Sequence, residues 1–268
     1  AFNGELVDTA MPTAAPAGET AATATAVSRS IHPWLFPAPP AEVVRLGPGA
    51  VVLDQPLDLA PGTELHIVAG TRLELRTGAG IRCFGGCRCE GTEAAPIEIL
   101  RHADADGIHC SGATVTFAHT TFVDDTPWRD LEAEAEPLLR LGRAVATIEH
   151  CRFVRAAGNA IVVVGGRTSL GHTSVRRCHH TALVASDGAE VQLRDCDLLF
   201  ARRAMLACDG ARLAIHHGTM RGNLAGIRAE RSASAFAGAE VLLDAVECAE
   251  TGTLDLEADA HSRIDRRR

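Results

Sequence analysis

The sequence predicts an all-β protein of one architecture: a single-stranded, right-handed parallel β-helix, a solenoid with three short strands in each coil. Three observations carry this. Landmark residues Phe117, Ile148, Leu170, Leu193, Ile215 and Ala237 follow one another at steps of 31, 22, 23, 22 and 22 residues, and a fixed period of about 20–50 residues marks stacked repeats. Around each landmark, apolar residues recur every second position and the runs end at Gly, Pro or Asp, which is the pattern of short strands and turns. Aromatic residues make up only 4% of the 268, with no Tyr, so the core is built from Val, Leu, Ile and Ala in thin layers. Stacked helix pairs would instead need 3.6-residue periodicity over runs of about 10 residues or more, and these segments lack it.

Taken in order, residues 1–43 form an Ala/Thr/Pro-rich extension that includes "TAMPTAAPAGETAATATA". It has too little apolar periodicity to fold alone and is expected to be flexible. Within it, "IHPWLFPAPP" at 31–40 carries Trp34, Leu35 and Phe36 and is read as a docking segment. Residues 44–268 form the β-helix, starting with the runs "AVVLD", "LHIV" and "RLELR". In the later coils a small residue stands three places after the landmark (Thr120, Cys151, Thr173, Cys196, Gly218) and an apolar one two places further (Phe122, Phe153, Val175, Leu198, Met220, Leu242). A second apolar pair follows after a turn, as in Ile161/Val163 and Leu183/Ala185, and then a glycine such as Gly112, Gly165, Gly188 or Gly210 resets the chain, where a positive φ costs least. Equivalent strands in successive coils then stack in parallel at roughly 4.8 Å, and the crossover rule makes the coil right-handed.

The stretch "APGTELHIVAGTRLELRTGAGIRCFGGCRCEGTEAAPIEI" at 60–99 resembles the opening coils of bacterial right-handed β-helix domains of the pectate-lyase-like superfamily. The shared features are Pro-Gly-Thr, a second Gly-Thr, Gly-Ala, Glu-Gly-Thr and Ala-Pro-Ile, and the resemblance extends over roughly 44–264. Where the family often has Trp-Gly-Gly-Ile, this chain has Ala105-Asp106-Gly107-Ile108. The resemblance implies the fold and a setting in surface or secreted proteins. It implies no reaction, because the superfamily holds lyases, hydrolases, epimerases and non-enzymes.

Composition narrows the partners. All 26 basic residues are Arg, against 34 Asp and Glu, for a net charge of −8, which argues against a general nucleic-acid binder. No run of about 18 apolar residues exists, so no membrane span is expected. The chain opens on Ala1 without a charged-then-apolar leader and reads as a mature chain or a fragment. Ile264 falls where another landmark is due, and "DRRR" follows without a capping helix. That ending reads as one domain of a longer polypeptide, or as an edge covered in an assembly. Nine scattered cysteines are an odd number without the dense spacing of a disulfide scaffold. They are read as free and buried, which leaves a cytoplasmic location open beside an extracellular or cell-surface one.

Three sets of residues are candidates for chemistry. His119, His150, His172, Asp195 and His217 recur at one place per coil, at the corner between two strands. Stacked imidazoles could hold a divalent metal, but a similar residue in every layer is the mark of a structural column, so no metal is expected there. "CFGGCRC" at 83–89 has metal-like spacing, yet Cys83, Cys87 and Cys89 fall on alternate inward positions and are read as core packing. The third set is an edge with Arg155, Arg176, Arg177, Arg202, Arg203 and Arg221, faced by Asp124, Asp125 and Asp130 of a long loop at 123–137. These nine residues are the ligand-binding candidates, because bidentate Arg contacts suit the carboxylates or sulfates of an acidic polysaccharide.

One outward column runs His109, Arg140, Val162, Val184, Leu206, Arg228, Asp255. Its apolar centre, Val162, Val184 and Leu206, is read as a strip for a protein partner, a further domain or the 31–40 segment. No catalytic residue and no cofactor is assigned. The expected function is a non-catalytic scaffold or binding module of a bacterial surface or exported protein. The alternative is a polysaccharide lyase or epimerase acting on a uronate polymer along the same edge.

Overall fold

The computed structural model describes residues 42–126, 135–232, 234–249 and 256–267; the 31–40 segment, Asp130 and Asp255 lie outside them. The described residues are strands joined by turns, wound as a parallel β-solenoid of about nine turns. Each coil contributes to three stacks of strands. The third stack is a sheet of nine strands that starts with Leu57–Leu59, Ile81–Cys83, Ile108–Ser111, Leu139–Gly142, Ile161–Val164 and Thr181–Ser186. It continues through Arg203–Cys208 and Ala225–Glu230 to Leu256–Ala258. The first and second stacks meet at a sharp corner. In the early coils they are separate strands, such as Thr114–Ala118 followed by Thr120–Asp124. In the later coils they fuse into single bent strands of ten residues, Glu190–Leu199, Arg212–Arg221 and Glu240–Ala249, which join the two stacks into one sheet of sixteen strands.

All ladders are parallel. Register runs Phe117↔Ile148↔Leu170↔Leu193↔Ile215 along the first stack, as the landmark spacing requires. Parallel sheets covered on both faces read as continuous apolar runs. Here one face is solvent, so the strands alternate instead: Thr71–Leu75 reads buried, exposed, buried, half-buried, buried. The inward columns close on a core of Leu, Ile, Val, Ala and Cys. Three rings thicken its middle. Phe122 and Phe153 stack at 4.5 Å in register, and Phe117 meets Phe122 edge-on at 5.3 Å.

The corners explain where the sequence period holds and where it slips. At the corners of the later coils one or two residues take the left-handed conformation, which turns the chain without breaking the axial hydrogen bonds. The first corner is held by His119, His150, His172, Asp195, His217 and Ala245, with φ between 45° and 54°. A second column holds Arg155, Arg177, Phe200 and Gly222, and a third holds Gly112, Arg143, Gly165, Asp187 and Asp209.

Past Ile215 the 22-residue period fails. Ile215 pairs with Leu243 and Met220 with Cys248, so neither Ala237 nor Leu242 occupies the place the spacing predicted. The turn before Glu240 is longer than in the preceding coils, and counting a constant step ran past it. The same slip moves the end of the outward column from Asp255 to Glu257, and pairs Ile264 with Val241 rather than with the landmark Leu243.

Candidate functional site

The histidine corner is a structural column. The rings of His119, His150 and His172 stack with centroids 4.8 Å apart and planes within 9° of parallel. Stacked rings present their faces to each other, so their nitrogen lone pairs do not converge on a point about 2 Å from each, as a metal requires. The backbone does the axial work: the His119 N–H donates to the Glu149 carbonyl, that of His150 to Gly171, and that of His172 to Arg194, at 3.0–3.1 Å. The small residue after each corner adds a second tie. Thr120 and Thr173 hydroxyls, and Cys151 and Cys196 thiols, all donate to the carbonyl of the residue before the corner, at 2.9–3.3 Å. Burial pushes the Cys151 thiol up to about 12 and that of Cys196 to about 11, which keeps both protonated as donors.

The two described aspartates of the long loop, Asp124 and Asp125, have different surroundings. Asp124 is turned into the coil, with its side chain fully buried in an ion pair with the equally buried Arg101. Its second oxygen accepts from the Thr126 backbone and hydroxyl, and the Ala157 N–H completes the set at 2.7 Å. Arg101 also donates to the Glu136 carbonyl, pinning the far end of the loop. Asp124 is therefore a structural anchor inside the coil and not part of the open edge that the sequence assigned it to. Asp125 stays outside and pairs with Arg155 at 3.2 Å.

The arginine edge lies along the second corner and the approach to the third stack. Arg155 and Arg177 are successive residues of the corner column, and Arg176 and Arg221 stand just before it in their coils. Arg202 and Arg203 lie on the approach, where Arg203 pairs in register with Thr181 and Ala225. The six thus form two offset files rather than one ridge. Some arginines elsewhere are matched by carboxylates in neighbouring coils, as in Arg82 with Asp58 and Asp106, Arg167 with Glu190, and Arg212 with Glu240, while others of the described residues are scattered singly without one. Among the described residues, Arg176, Arg177, Arg202 and Arg203 meet no carboxylate.

Two apolar side chains sit among them, and sequence reasoning missed both. Phe200 takes the corner place at φ 58° and is 54% exposed; Leu224 is 76% exposed. Leu224, His180, Thr181, Arg202, Arg203 and Ala225 line an open depression of about 440 Å³. Register could have found Phe200, because it falls where Arg155 and Arg177 stand in the coils before it. Asn159 and Asn223 are polar residues of the same turns but serve the backbone: Asn159 accepts from the Thr181 N–H, and the buried Asn223 bonds Ala201 and Leu198.

No family model, curated protein or solved structure matches the chain.

On the neighbouring face, Arg140, Val162, Val184, Leu206 and Arg228 stand in register, and the three aliphatic members are half-buried. The cysteines at 83–89 are buried as the alternation requires. Their arrangement goes further than alternation implied, because Cys110 of the following strand stacks on Cys83 and joins Cys87. The adjoining Cys110 and Cys87 thiols hold Cys83 below the ordinary thiol range, at about 5, against its burial. Cys110, beside Cys83 and Cys87 and buried with them, is pushed well up.

Proposed function

We propose that this protein is a non-catalytic β-helix binding module that engages an acidic polysaccharide along the arginine edge, as part of a bacterial surface or exported protein. The observation that carries the reading is the set of four guanidinium groups, Arg176, Arg177, Arg202 and Arg203, without a carboxylate partner among the described residues of an acidic protein. A guanidinium presents a planar fork that matches carboxylates and sulfates with two parallel hydrogen bonds. Spread over neighbouring coils of a rigid scaffold, such forks suit a ligand that is itself a repeating anion. Phe200 adds an exposed ring that can lie against the C–H face of a sugar while the guanidinium groups take its charges. The half-buried strip of Val162, Val184 and Leu206 would receive a protein partner or a further domain of the same polypeptide.

The test is binding of the whole chain to an array of uronate and sulfated polymers, beside Arg202→Ala/Arg203→Ala and Phe200→Ala variants. Each charge-assisted contact is worth about 1.5–3 kcal/mol, so the double variant should bind at least tenfold more weakly and the wild-type affinity should fall as salt rises. Equal binding by wild type and double variant, or none by either, would remove the polysaccharide from the proposal. Appearance of unsaturated uronate absorbance during incubation would overturn its non-catalytic part.

A further inference from the structure

We propose that Cys83, Cys87 and Cys110 form a buried three-sulfur site for a soft monovalent cation of the Cu(I) type. Their three Sγ atoms lie within 4.8 Å of one another. A metal–sulfur bond of about 2.3 Å places the corners of a three-sulfur shell about 4 Å apart, so the ion needs only a small inward rotation of the side chains. All three residues are at most 1% exposed.

The way the sequence builds this triangle separates it from ordinary packing. Cys151 and Cys196 alternate with threonines in one column and share their hydrogen bond, so they belong to the repeat. Cys83 and Cys110 stand in a column that continues as Leu141, Val163, Ala185, Ala207 and Ala229. Cys87 stands between Leu65 and Val115. Among the described residues, aliphatic side chains serve these places in the other coils apart from Thr168 in the Cys87 column, and only here do thiols replace them in two columns at once. The turn between Cys83 and Cys87 brings the columns together. It is drawn tight by Gly85, where a Cβ would strike the Thr63 carbonyl at 2.0 Å.

Charge selects the ion. The surroundings are apolar and closed to water, where an unbalanced charge is costly. One thiolate with two neutral thiols balances a single positive charge. Binding is then an exchange in which the ion forms three bonds to sulfur and displaces one S–H proton to solvent. A dication would need a second thiolate and a fourth donor. Cys89, the next inward residue on the same strand, lies outside the triangle. Soft sulfur donors select soft d10 ions such as Cu(I). The proposal is independent of the arginine edge.

The experiment titrates the reduced, whole chain with Cu(I) under anaerobic conditions against a chromophoric Cu(I) chelator, with Zn(II) in a parallel arm. One ion per chain should be withheld from the chelator, with near-ultraviolet sulfur-to-copper absorption, release of one proton and a shell of three sulfurs by X-ray absorption. Cys110→Val and Cys83→Ala place residues found elsewhere in the same column and should fold; each should weaken retention by about 100-fold or more. Cys151→Thr, which copies its neighbours Thr120 and Thr173, should retain the ion fully. Unaltered retention in Cys110→Val and Cys83→Ala, no ion withheld by the wild type, tighter retention of Zn(II), or a shell of other than three sulfurs would each overturn the assignment. If either variant fails to fold, stoichiometry, proton count and sulfur shell of the wild type decide.

Discussion

A histidine at a left-handed corner illustrates how single residues govern this fold. Few residues other than glycine accept positive φ, and His, Asp and Asn are enriched among those that do. That preference accounts for His119, His150, His172, Asp195 and His217 in one column, and the stacking of three rings then stabilises what the backbone selected. His150→Val should therefore cost about 1–2 kcal/mol, whereas His150→Asn should stay within about 0.5 kcal/mol, since surface changes of compatible conformation are nearly neutral. Denaturant midpoints of the two variants, read against wild type, check this. A similar loss in both would assign the cost to lost ring stacking rather than to the corner. The tie from Cys151 back to Glu149 belongs to the same scale. Reading the cysteines as small hydrophobes caught their burial but not their donor role, because a thiol's hydrogen bond leaves no trace in apolar periodicity.

At the scale of strands and turns, the sequence displayed the coils as far as Ile215, even across the 31-residue step from Phe117 to Ile148, and lost them at the longer turn before Glu240. Phe117 through Ile215 stand in register as expected because the octet around each landmark, and not its spacing alone, marks the same corner in every coil. Leu243 and Cys248 were missed because the longer turn before Glu240 shifts register without altering the local pattern of either strand. The arginine edge was legible as composition, but not its division into two files, nor the exposed Phe200 and Leu224 between them, since exposure at a corner depends on the neighbouring coil. Asp124 shows the reverse limit. A run of acidic residues looks like a solvent-facing loop, and only the fold reveals that its first member turns inward to Arg101. Breaking a buried pair leaves one charge uncompensated, at about 3–5 kcal/mol. Asp124→Ala should lose that much stability and free the 135–137 segment, visible as protease cleavage near Glu136; loss of stability without cleavage would mean that Arg101 does not hold the loop.

For the whole molecule, stability is a chain of interfaces between neighbouring coils, so the ends and the centre should differ. Central columns such as Ile148, Leu170 and Leu193 are at most 2% exposed, whereas Leu256 and Ile264 in the last described strands are only half-buried. Hydrogen exchange should accordingly proceed inward from 256–267, with the slowest amides around 145–198. Uniform exchange along the axis would mean that the coils unfold as one unit. The repeated register also bears on how such a molecule grows. Because residues 145–166 and 167–189 offer matching upper and lower surfaces, tandem copying of one such block would insert a rung about 4.8 Å tall, keep both flanking interfaces and add one new interface between the copies. Length in this protein is thus a quantity that gene duplication can adjust in small, nearly neutral increments.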